Sequence, residues 1–209
     1  GAERLVEDAI ATVSLATGIT FINDGATAEA PSQARPPYQK DAYGDRWAPL
    51  LIAWTTPDQA PQLKGRVIGT GGSTHFSYGD GPKSFVTGSL ELDSPQIAEE
   101  LSRADGAAYA TAVILHELGH VMGSNHEVDP GGAFAHSHGR TGAGHPPNCR
   151  AWGTIMTQPA CLTCDALRLW STPNLQRCGQ PLGDANRNDN ARSLNATHAL
   201  VANFRCGGS

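Results

Sequence analysis

The sequence predicts an α+β fold: a twisted mixed β-sheet, one long helix after the strands, and a smaller irregular C-terminal lobe ending in a helix. Three observations carry this expectation. Apolar residues recur at helical spacing near both ends of the chain. Between them, short strand-like runs precede an Ala-rich stretch over 106–115. All five cysteines fall in the last third, where periodicity fades. At 209 residues, one domain spanning 1–209 is expected, with an upper lobe over 1–126 and a lower lobe over 127–209.

Taken in order, Leu5, Ala9, Val13 and Ala16, with Val6 and Ile10 alongside, predict a first amphipathic helix that Gly18 ends. Ile19 to Ile22 reads as a short strand stopped by Asn23-Asp24-Gly25. Residues 26–46 read as a polar loop containing prolines. Trp47 to Trp54 reads as a buried strand, and Gly65 to Ile68 as the start of a third. Phe85 to Leu92 alternates as a half-exposed edge strand would. Ser94-Pro95 reads as a helix start, with Ser94 as N-cap and proline at the first helical position. Asp105 is a candidate N-cap for the helix that the helix-forming run over 106–115 begins. From His126 to Gly153 the chain reads as irregular. Asn188 to Phe204 reads as a closing helix.

Composition narrows the function classes. A net charge of −5 without a basic block argues against nucleic acid as the main partner. No apolar run is long enough for a membrane span. No signal-peptide pattern opens the chain, as expected of a mature or trimmed form. Five cysteines (Cys149, Cys161, Cys164, Cys178 and Cys206) read as two disulfides with one left over, in an oxidising compartment. Spacing does not fix connectivity, and the expected pairing is Cys149–Cys161 with Cys164 or Cys178 joined to Cys206. Asn195-Ala196-Thr197 is a glycosylation sequon that decides little.

The chemistry concentrates in residues 116–126, which read H-E-x-x-H-x-x-G-x-x-H. Residues four apart share a helix face, so His116 and His120 can address one ion. Glu117 lies beside them, where its carboxylate can reach a water on that ion. Gly123 is a hinge that lets the chain leave the helix in a conformation disfavoured for residues with a Cβ. The bend returns His126 as a third ligand, leaving one position open, as in catalytic rather than structural zinc sites. The bland alternative is a pair of ordinary histidines on an Ala-rich helix.

This run is the long zinc signature of metzincin metalloproteases, which the chain resembles. Gly153-Thr154-Ile155-Met156-Thr157 resembles their Met-turn, with Met156 as a polarizable floor beneath the imidazoles. Gln158 occupies the place where some metzincins carry a tyrosine, so no tyrosine switch is assigned. Residues 1 to about 130 resemble actinobacterial matrixin-like proteases, through Tyr43 to Pro57, Val86 to Asp93 and the zinc helix. Phe134 to Phe204 resembles bacterial reprolysin-like and peptidyl-Asp metallopeptidases, through Thr154-Ile155-Met156, Trp170 to Pro173 and Asp189 to Asn195.

The resemblance implies a zincin-type catalytic domain with a cleft between its lobes. It implies a secreted, extracellular zinc endopeptidase, monomeric, acting on protein or peptide substrates. One catalytic Zn2+ would be held by His116, His120 and His126, with Glu117 activating a zinc-bound water. An edge strand near Phe85 to Leu92 would pair with extended substrate. The alternatives are a metal-binding adhesion module on a protease scaffold, or a latent protease. For latency, Arg177-Cys178-Gly179-Gln180-Pro181 resembles a matrixin cysteine switch, though a disulfide is the plainer reading of Cys178. His136, His138 and His145, and separately His75 and Asp80, are candidates for a second zinc or a structural calcium, left unassigned. Glu127 either anchors the loop beneath the site or is solvated.

Overall fold

The computed structural model describes residues 1–32, 34–76, 84–144, 149–158 and 164–202, with side chains described through 197. Helix α1 (Ala2–Thr17) buries Leu5, Ala9, Val13 and Thr17, one residue per turn. Gly18 ends it with φ 74°, and its N–H caps the Ser14 carbonyl. Ile19 to Ile22 forms no strand and pairs with none among the described residues; Ile22 is 56% exposed. Residues 26–46 contain one short helix, α2 (Lys40–Tyr43).

Three strands form the main sheet: β1 (Leu51–Thr55), β2 (Gly69–Phe76) and β3 (Ser84–Asp93). The predicted Trp47–Trp54 strand shrinks to β1, since Pro49 interrupts its start, and the third strand begins later than Gly65. Strand order is β1-β3-β2, with β1 parallel and β2 antiparallel to β3. This corrects the expected role of Phe85 to Leu92: β3 is the central strand, buried on both faces. Its apolar set, Val86, Leu90 and Leu92, and its polar set, Thr87 and Glu91, are all under 9% exposed. Arg35 from the preceding loop covers part of the polar face, donating to Thr87 Oγ1 at 2.5 Å and to the Gly88 carbonyl at 3.2 Å.

Helix α3 (Ser94–Leu101) is capped by Asp93, not Ser94; the Asp93 carboxylate accepts from the Gln96 N–H at 3.0 Å. Helix α4 (Gly106–Val121) begins where the Asp105 carbonyl takes the Tyr109 N–H, the place of an N-cap. It packs on β2, β3, α1 and α3, burying Ala110, Ile114, Leu115, Leu118 and Val121.

The chain divides into two compact units: Gly1–Val121 with the end of the last helix from His198, and Met122–Thr197. The second unit is less irregular than expected. It carries β4 (Thr141–Gly142), β5 (Trp152–Gly153) and β6 (Asp165–Ala166) in one small sheet, and the hairpin β7 (Gln176–Arg177) to β8 (Gln180–Pro181). Two-residue strands carry too little periodicity to be seen in a sequence. Trp152, Leu182 and Cys149 form its core with Leu167 against them. Helix α5 (Asn190–Ala202) closes the fold, with Leu194 buried.

Candidate metal centre

Helix α4 places His116 and His120 one turn apart, their Nε2 atoms 3.2 Å from each other. Two nitrogens each 2.0–2.1 Å from a tetrahedral ion stand about 3.3 Å apart, so this spacing suits zinc. After α4 the chain turns through Gly123, whose φ is 82°. His126 follows, and ligand atoms of His116, His120 and His126 all lie within 4.8 Å of one another. This cluster fits a zinc ion, and among the described residues it is the single such group.

Glu117 is 6% exposed. Burial pushes its carboxyl up to about 8, and a hydrogen bond from the Gly71 backbone offsets this only in part. A cation beside it would pull that value down again. Room for Glu117 comes from glycines on β2. A Cβ at Gly71 would stand 2.3 Å from the Glu117 carbonyl oxygen, and one at Gly69 would stand 3.0 Å from Glu117 Cγ. The Gly-Thr-Gly-Gly run of β2 carries the sequence signal for this, since glycines inside a strand mark a place where another backbone approaches closely.

His126 sits in a network that spacing alone does not predict. Its Nδ1 lies 2.6 Å from Asp129 Oδ2 and 3.2 Å from the Gln158 side-chain amide. Glu127 is an anchor rather than a solvated charge: its Oε2 accepts from the Gln158 N–H at 3.0 Å. Met156 is fully buried at 0% exposure, within a turn closed by the Thr157 N–H on the Thr154 carbonyl at 3.1 Å. A Cβ at Gly139 would strike the Met156 carbonyl at 2.2 Å, so this turn has close backbone neighbours.

The remaining candidates do not converge. His138 is buried at 3% and His136 stacks on Phe134, neither in a metal-sized cluster among the described residues. His75 packs its ring against Phe85. His145 and Asp80 lie outside the described residues. Cys178 is disulfide-bonded to Cys149, which corrects the Cys149–Cys161 pairing and uses the thiol a cysteine switch would need. The reason is topological: the β7–β8 hairpin presents Cys178 at its tip, beside the Cys149–Trp152–Leu182 core. Cys164 is disulfide-bonded as well. Cys161 and Cys206 lie outside the described residues.

Buried Glu117 shares helix α4 with two of the three clustered histidines. The chain is similar to proteins named peptidyl-Asp metalloendopeptidase. It is 34% identical over 93 residues to one from Stenotrophomonas maltophilia strain K279a, covering 43% of this chain and 22% of that protein. A second from strain R551-3 is 37% identical over 93 residues, with the same shares. A third from Xanthomonas campestris pv. campestris is 38% identical over 94 residues, 43% of this chain and 21% of that protein. The match thus spans about a fifth of the length of these relatives. No family model matches the chain, and no solved structure matches it. These partial relatives support a metallopeptidase family, and the metalloendopeptidase activity in their names is said of those proteins.

Proposed function

We propose that this chain is a secreted zinc endopeptidase of metzincin type. The observation that carries the reading is the clustering of His116, His120 and His126 with buried Glu117 on the same helix as the first two. When bound, zinc would polarise the scissile carbonyl and lower the pKa of water at its open position. His116, His120 and His126 would hold the ion. Glu117 takes the proton of the attacking water and passes it to the leaving amine. Its burial on the same helix as His116 and His120 supports that role. Met156 would underlie the imidazoles as a Met-turn. Extended substrate would add along the outer edge of β2, the strand whose glycines lie against Glu117. The disulfides of Cys149, Cys178 and Cys164 support an extracellular, oxidising location.

Hydrolysis of casein, lost on chelation and restored by zinc, is the expected result. Zinc bound one-to-one with no hydrolysis would favour a metal-binding adhesion module instead. Cleavage profiling on a peptide library would show whether aspartate is selected, as the names of the relatives suggest for those proteins.

A further inference from the structure

We propose that Asp129 is a positioning residue for His126: it accepts the Nδ1–H of that ring and so leaves Nε2 as the lone pair that faces the ion. This inference rests on the zinc reading above. A neutral imidazole carries one N–H, and the partner of that N–H decides which nitrogen is free to bind metal. Asp129 Oδ2 stands 2.6 Å from Nδ1, the length of a charge-assisted bond.

The loop is built to deliver that carboxylate. The Asn125 side chain accepts the His126 N–H at 2.9 Å and donates to the Pro130 carbonyl at 3.1 Å, so it braces both ends of the turn. The Asn125 N–H bonds the Ser137 carbonyl at 2.7 Å, and the Ala133 N–H bonds the Gly123 carbonyl at 2.7 Å. The Gln158 amide lies 3.2 Å from the same Nδ1, and the Gln158 N–H is held by Glu127. The Gln158 amide is a donor and cannot bond a protonated Nδ1, so with Nδ1 protonated it is the Asp129 carboxylate, not the amide, that takes this proton and sets the ring. His116 and His120 need no such loop, because the helix itself aims them.

The test measures zinc affinity by competition with a chelator, and the His126 tautomer by 15N NMR of the metal-free protein. Asp129→Ala should lose affinity about 10–100-fold, the usual effect of removing such a partner. Asp129→Asn keeps an acceptor oxygen in the same place and should lose only a few fold. Val128→Ala, at a neighbouring side chain 63% exposed, should bind as the parent does. In the metal-free parent, His126 should carry its proton on Nδ1, and in Asp129→Ala the two tautomers should mix. An unchanged affinity in Asp129→Ala, an unchanged tautomer, or equal losses for alanine and asparagine would overturn the proposal. A parent protein that binds no zinc would sink the zinc reading, whereas the metal-free tautomer would still report on Asp129 alone.

Discussion

Glu117 and Glu29 show how one residue type is given opposite chemistry by its surroundings. Glu117 is buried with little but the Gly71 N–H to meet it, and its carboxyl rises to about 8. It lies next to a candidate ligand without being one. Glu117→Gln should therefore cut peptide hydrolysis about 10²–10⁴-fold while zinc stays bound, as measured by turnover and metal content. Near-normal turnover would remove it from the role of base. Burial alone would also raise Glu29. Hydrogen bonds from Arg35, Tyr43 and Gln39, with the Arg35 charge, outweigh it and hold the carboxyl down at about 2. A carboxyl lowered on folding stabilises above its unfolded value of 4.5, and that contribution is lost as pH falls from there toward about 2. Glu29→Gln should thus lower the denaturation midpoint at neutral pH and converge with the parent near pH 2. A gap that persists unchanged into acid would show that the pairing is not electrostatic.

The elements reveal what the sequence could carry and what it could not. Helix α4 and its three histidines were legible because helical spacing and ligand spacing coincide within a single run of eleven residues. Helices α1, α3 and α5 announced themselves by period and by Gly18 and Pro95. The alternation of β3 predicts a half-exposed edge; nothing in residues 84–93 tells that Arg35, about fifty residues earlier, covers the polar face. Nor does a strand encode its neighbours, so the order β1-β3-β2 was invisible. The glycines of β2 give a sharp test of how α4 is seated. A Cβ at Gly71 would collide with Glu117 backbone, with contacts of 2.3 and 2.9 Å, whereas one at Gly72 meets nothing within 4 Å. Gly71→Ala should cost about 1–3 kcal/mol as overpacking and weaken zinc binding, while Gly72→Ala stays within about 0.5 kcal/mol. Denaturant melts compare them, and equal losses would mean that α4 does not lie on β2 as described.

At the scale of the whole molecule, the two units are stabilised by different means. The first joins helices α1, α3 and α4 to a sheet through a long apolar core, with Leu90, Leu92, Ile114, Leu115 and Leu118 all nearly inaccessible. The second has two-residue strands and a small cluster around Trp152, so its own apolar burial is modest. Cross-links compensate for a thin core by limiting the freedom of the unfolded chain. Cys149 and Cys178, 29 residues apart, close a loop that contains Met156 and the small β5–β6 pairing. A loop of that length is worth about 3–4 kcal/mol. Reduction should therefore raise hydrogen exchange first within residues 122–197, including the Thr154–Thr157 turn, while the β1-β3-β2 sheet keeps its protection. With Cys149, Cys164 and Cys178 all disulfide-bonded, four of five cysteines are committed, and denatured, unreduced protein should show one free thiol. Five free thiols would refute the cross-links and, with them, the main support for an extracellular location. Uniform loosening of both units on reduction would instead show that the disulfides stabilise the chain as one cooperative body.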